Sequence, residues 1–297
     1  MSKNPLQDLL IRSAIVKGPG VGYILAGDPE KGSNGESFVK IFKWDQGNFS
    51  GSWANFDAHT ACLVSKPEPG LVFLAQNGHY GIHLKSGVIT GNIFQESKPK
   101  PKKAVYGSFR SVAAIDGKAY AVGYGSIAYR LDARNWKSIN DGLPDNIDLE
   151  AIDGYKQKEL YAVGSNGLIC QYEGKQWLQH PSPTTEHLSG ILCAPDGYVY
   201  AVGHNGILLF GRKDQWEIIH HNTTNDDAWG LAWFHDKLYV STFSNVYRLK
   251  ENKLAPVDFG EDIPATYYRL GSADGALWSI GEKDIMAFDG RQWKRIV

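Results

Sequence analysis

Arg12, Arg110, Glu150, Trp229 and the Tyr267-Tyr268 pair are the side chains of this sequence whose types and recurrent spacing best suit chemistry at a surface. Guanidinium and carboxylate groups offer charge-assisted hydrogen bonds, and Trp and Tyr offer rigid anchors that lose little entropy on docking. With His59 and His187 they form a set suited to gripping a polar, asymmetric partner. Stronger chemistry lacks its spacing. His220-His221, followed by Asp226 and Asp227, gathers metal-ligand types. Adjacent residues on a strand point to opposite faces, however, and neither HxH nor HxxxH occurs, so no metal is expected. Asp141, Asp145 and Asp148 lack the glycine and terminal glutamate of a calcium loop. The segment DPEKGSNGES, Asp28 to Ser37, is glycine-rich without the GK[ST] ending of a phosphate loop. With no GxSxG elbow and no catalytic-cysteine signature, neither a catalytic residue nor a cofactor is expected.

The elements that must position these side chains repeat along the chain. YAVGYGSIAYRLDARNW (from Tyr120), YAVGSNGLICQYEGKQW (from Tyr161) and YAVGHNGILLFGRKDQW (from Tyr200) are three copies of one unit. The glycine of YAVG, or its equivalent, falls at Gly27, Ala75, Gly123, Gly164, Gly203, Thr242 and Gly281, at spacings of 48, 48, 41, 39, 39 and 39 residues. Each unit holds four short stretches with period-two alternation and β-branched or aromatic enrichment, which read as strands. Asn-Gly or Tyr-Gly-Ser between the second and third supplies the positive φ of a tight hairpin. A Trp near the start of the fourth, at Trp53, Trp136, Trp177, Trp216 and Trp293, is expected to anchor neighbouring sheets against each other.

Seven four-stranded units predict an all-β protein, a seven-bladed β-propeller of antiparallel blades filling residues 1–297 as a single domain. The blades are expected at about 8–54, 55–95, 106–139, 147–180, 186–220, 227–258 and 265–297. An open solenoid would need polar capping repeats, and none is apparent. LLIRSAIV begins a first strand and QWKRIV ends a fourth, so closure is expected from packing of the first blade on the seventh, with no strand borrowed between the ends. Aligning the first strands on the repeated glycine places Arg12, Thr60, Arg110, Glu150, Leu188, Trp229 and Tyr268 at the mouth of the channel, with His59, His187 and Tyr267 one step further out. The loops entering the first strands are long and polar, as in QHPSPTTEHLS and HHNTTNDDAWG, and long loops on one face of a rigid scaffold are where function concentrates.

Composition narrows the partner. The net charge of -1 lacks the basic excess of a nucleic-acid protein. Neither a spanning apolar segment nor a signal-peptide core is seen, so a cytoplasmic location and no membrane association are expected. Cys62, Cys170 and Cys193, odd in number and without CxxC spacing, fit buried thiols in a reducing compartment. The run SKPKPKK, Ser97 to Lys103, reads as a solvated insertion, or as a patch that steers an acidic partner.

The unit YAVGxxGxIxxYxGxxWxxI resembles the YVTN- and BNR-like propeller repeats, including the photosystem assembly-factor type, over nearly the whole chain. The resemblance implies the WD40-like propeller fold and carries little about function. DGRQW and EGKQW resemble Asp-boxes that have lost the leading serine of SxDxGxxW, so the resemblance does not extend to a glycosidase activity. The expected function is a non-catalytic platform that binds a protein partner through its long-loop face, as an immunity protein neutralising a bacterial toxin or as an assembly factor would. The contact residues expected are Arg12, His59, Arg110, Glu150, His187, Trp229, Tyr267 and Tyr268. The alternative is a propeller that binds or hydrolyses a glycan or other small molecule in its funnel.

Overall fold

Each repeat folds as its alternation predicts, into four consecutive antiparallel strands. A computed structural model describes residues 4–28, 38–96 and 107–297. The protein is a seven-bladed β-propeller, with every sheet ordered as its strands follow in the chain. The first strands are Leu10–Gly18, Ala58–Val64, Ser108–Ile115, Leu149–Lys156, Leu188–Cys193, Ala228–Phe234 and Arg269–Ala273. The glycine-rich insertion within 28–37 and the Pro-Lys run lie almost wholly outside the described residues. No helix among the described residues is long and apolar enough to cross a membrane.

The repeated glycine has a steric reason. A Cβ on Gly164 would run into the carbonyl oxygen of Asp148, and one on Gly203 into that of His187, so the first strand can approach the second only where no side chain intervenes. The hairpin turns behave as read. Asn166 and Gly167 have φ of 57° and 69°, and Asn205 and Gly206 have 54° and 69°.

The chain divides into two compact units, one of residues 1–57, 204–208 and 219–297, the other of residues 58–203 and 209–218. In the second unit the first strands of blades 2 to 5 lie side by side, and the expected tryptophans bridge blades. Trp177 is buried, and its indole N–H donates to the Ile139 carbonyl of blade 3 at 2.7 Å. Trp136 meets Tyr80 of blade 2 edge-on at 6.0 Å, and Trp216 meets Tyr161 of blade 4 at 6.3 Å.

Trp53 does not share this role. It is 72% exposed and pairs with Lys40, well along its strand. Register explains the difference. The anchors each lie five residues after their cross-strand partner, as in Leu131↔Trp136, Tyr172↔Trp177, Gly211↔Trp216 and Phe288↔Trp293. In blade 1 that relation is Trp44↔Phe49, so Phe49 holds the anchor phase and edge-packs on Phe42 at 6.1 Å.

Blades 4 and 5 are also joined by polar contacts. The Asp153 carboxylate accepts the Cys193 and Gly154 backbone N–H groups, both at 2.8 Å. The Tyr155 hydroxyl donates to the Tyr198 carbonyl at 2.8 Å while the Arg212 guanidinium lies 4.6 Å from its ring centre. Burial pushes the Asp153 carboxyl up to about 6, against which the two backbone donors work.

In the first unit blade 7 packs on blade 1, as the termini predict. Trp278, wholly buried, meets Trp44 edge-on at 5.6 Å among Leu6, Leu9, Ile11, Val16 and Ile280. The Ile11 N–H donates to the Glu282 carbonyl at 2.8 Å, and the C-terminal Ile296 N–H reaches Ile285 at 2.8 Å. No strand is exchanged between the two sheets.

Three variants test these contacts. Trp278→Ala, which removes the largest side chain of the blade 7–blade 1 contact, is expected to cost about 3–5 kcal/mol in urea unfolding. Trp53→Ala is expected to stay within about 0.5 kcal/mol of the parent. Asp153 binds its proton more tightly folded than unfolded, so its ionisation destabilises the fold as pH rises from the unfolded value of 3.8 through about 6. The stability of Asp153→Asn relative to the parent is therefore expected to improve by ~1–3 kcal/mol between pH 4 and pH 7.5. A difference that stays constant over that range would remove the buried-carboxylate explanation.

Candidate functional site

The first strands share an irregularity near their entry. Register shifts skip Arg12 in blade 1, His59 in blade 2, Arg110 in blade 3, Glu150 in blade 4, Ser189 in blade 5 and Trp229 in blade 6. A bulge leaves one residue unpaired and re-aims its side chain, a device common beside functional sites. Five of these six are among the contact residues expected from the sequence, and Ser189 is the one missed. Two of the mouth positions are instead structural. Thr60 is buried, and its hydroxyl accepts the Val112 N–H at 3.2 Å, while Leu188 is fully enclosed. Tyr267 also lies in the core, against Phe259 at 5.4 Å. The signal that finds Ser189 is the repeated glycine paired across from Leu188, since the bulged residue is the one that follows that pair.

In the second unit the bulges of blades 3 and 4 converge on Glu150. Its side chain is only 9% exposed. One carboxylate oxygen accepts the Arg110 Nε–H at 2.9 Å, and the other accepts the Tyr124 hydroxyl. His187 Nε2 lies 3.4 Å from the same oxygen as Tyr124, and its Nδ1 lies 3.4 Å from the Ser165 hydroxyl. The Arg110 guanidinium sits 5.1 Å from the Tyr124 ring centre. Burial, followed by the bond to Glu150, pushes the Tyr124 phenol up to about 12, so it remains a donor at neutral pH. Arg110 keeps a third of its side chain open to solvent, so the network holds it without hiding it.

In the first unit Arg12 lies 3.8 Å from Asp57. Trp229, 41% exposed, meets His204 edge-on at 6.0 Å. Tyr268 meets Phe243, itself 58% exposed, at 5.6 Å. The residues that raised a metal question serve the loop. His221 Nε2 lies 2.7 Å from the Gly206 carbonyl, and its Nδ1 accepts the Thr223 N–H at 3.1 Å. This fixes the ring as a staple between the entry loop and the Asn205-Gly206 turn. No group of three or more His, Cys, Asp or Glu residues arranged for a metal ion occurs among the described residues.

A polar groove of about 500 Å³ lies in the second unit, lined by Asp148, Ser165, Asn166, His180, Ser182 and Thr184 among others. Neither Arg110 nor Glu150 lines it.

No family model matches the chain. The immune protein Tsi7 of Pseudomonas aeruginosa is 37% identical to it over 298 residues, with 96% of each chain covered. The chain belongs to the Tsi7 immune-protein family. Solved structures at much lower identity share the fold. YCF48 from Cyanidioschyzon merolae superposes with a TM-score of 0.69 at 13% identity, over 96% of each chain. YCF48 bound to D1 peptide gives 0.64 at 14% identity, over 97% of this chain and 95% of that one. The WD40 β-propeller domain of Doa1 gives 0.67 at 9% identity, over 97% and 93%. The Tsi7-family chain thus has the propeller architecture of assembly-factor and WD40 proteins, with its charged and aromatic side chains brought out at bulges.

Removing the Glu150 acceptor in this Tsi7-family protein is expected to strand the donors around it. Glu150→Ala should cost about 1–3 kcal/mol of unfolding free energy. Glu150→Gln, which keeps one acceptor, should cost less, and equal losses in urea titrations would rule out the hydrogen-bond account.

Proposed function

We propose that this chain is an immunity protein that binds a protein toxin and blocks it by occlusion, contributing no chemistry of its own. The observation that carries this reading is the end-to-end similarity to immune protein Tsi7, 37% identical over 96% of each chain. The site chemistry agrees with it. The bulged positions carry Arg, His, Glu, Ser and Trp, while the strand cores repeat, so the contact side chains differ where the scaffold does not. Arg12, His59, Arg110, Glu150, His187, Ser189, Trp229 and Tyr268 are the proposed contact residues. Tyr267 drops out because it is buried in the core. The cytoplasm is the proposed place of action. Cys62, Cys170 and Cys193 are unpaired, and burial pushes the Cys62 and Cys170 thiols up to about 12, which keeps them protonated and unreactive.

A strain deleted for this chain is expected to lose viability when grown mixed with its parent, and a plasmid copy is expected to restore it. In the rescued cells the chain should co-purify with one protein whose expression alone arrests growth. Equal survival of deleted and parent strains in every mixture, with no such complex, would overturn the reading.

A further inference from the structure

We propose that the corner of blade 6 formed by Asp226, Asp227, Trp229 and Phe243 is the seat for a basic side chain, Lys or Arg, presented on a loop of the toxin. This rests on the immunity reading and adds the chemistry of one part of the contact.

The entry loop and the hairpin of blade 6 assemble the corner. Ala228 pairs with Thr242, so the bulged Trp229 and the turn residue Phe243 emerge from the same end of one strand pair. Asp226 accepts the Ser244 hydroxyl, which ties the carboxylate to the residue after Phe243. Asp227 accepts the Asn205 N–H at 3.0 Å through one oxygen, and its other oxygen lies 4.0 Å from His204 Nε2, while the His204 ring meets Trp229. Two carboxylates and two exposed aromatic rings are thus held together by bonds that leave the carboxylate charge uncompensated by any guanidinium or ammonium.

Elsewhere several carboxylates do have such a partner. Asp57 has Arg12, Asp116 has Lys66, Asp132 has Arg130 and Lys118, Glu150 has Arg110, and Asp262 has Arg295. Among the described residues neither Asp226 nor Asp227 has a Lys or Arg partner. Water solvates these carboxylates in the free protein, but a partner covering Trp229 and Phe243 would strip that water away. An apolar or acidic segment would then leave buried negative charge unpaired, which is costly. A Lys or Arg supplies the missing charge and gains from an aromatic face at the same time. The two requirements select one occupant.

The test uses the purified toxin found in the rescue experiment. Asp226→Asn/Asp227→Asn keeps an acceptor oxygen at each position and removes both charges, and Trp229→Ala removes the ring. Each must melt with the parent. At low salt the double variant is expected to bind about tenfold more weakly, with the gap closing as salt rises. Trp229→Ala is expected to bind ~30-fold more weakly or worse, as a buried aromatic anchor does. If Trp229→Ala fails to fold, the charge variant alone decides. On the toxin, one lysine should resist acetylation, or one arginine resist phenylglyoxal, in the parent complex and become reactive in the complex with the double variant. Parent-like or tighter binding by the double variant, or no toxin residue so protected, overturns this inference and leaves the immunity reading standing. A parent protein that binds no toxin overturns both.

Discussion

The close approach of the first strand to the second at the repeated glycine is the constraint on which the rest of this molecule depends. Gly164 and Gly203 leave no room for a Cβ beside the carbonyls of Asp148 and His187. In blades 4 and 5 a register shift follows directly after the glycine pair. The residue expelled from pairing is freed from the core. In these two blades the same few atoms fix the scaffold and release one side chain. Blades 2 and 6 keep the shift with Ala75 and Thr242 in place of glycine, and blade 7 pairs without one.

The sequence makes the scaffold legible because its constraints recur. Asn166 and Asn205 carry the positive φ that Asn-Gly implies, and Trp136, Trp177 and Trp216 are buried where a recurring aromatic should be. Errors arise where a single residue decides the outcome. Trp53 has the right type but the wrong phase, which only the pairing Trp44↔Phe49 reveals. Thr60 and Leu188 lie one position away from His59 and Ser189, because the repeat marker locates the bulge only once its cross-strand partner is known. In a strand a shift of one residue turns a side chain from surface to core. Tyr267 and Tyr268 illustrate the same sensitivity within one dipeptide, the first buried on Phe259 and the second beside exposed Phe243.

Function was legible as a protein-binding platform, with the immunity role named beside an assembly-factor role. A propeller without a catalytic set fits many binding proteins, and resemblance of repeats carries fold more than role. The similarity to Tsi7 supplies the missing step because, at 37% identity, it spans 96% of the chain. The YCF48 and Doa1 structures, at 9–14% identity, carry the architecture alone.

The two charged regions differ in what they need from outside. Glu150 is enclosed with its own donors, Arg110, Tyr124 and His187, so it orients Arg110 before any partner arrives. Such a side chain loses little freedom on docking, and preorganisation lowers the entropy that association must overcome. Asp226 and Asp227 are held by neutral hydrogen bonds and by His204, so their charge is satisfied only by solvent until something cationic covers them. Each region discriminates within its own unit, one by an oriented cation and the other by a pair of carboxylates. A segment of the wrong charge finds Arg110 already committed to its geometry, or buries Asp226 against no partner. Specificity in such a protein comes as much from what the loops refuse as from what they hold.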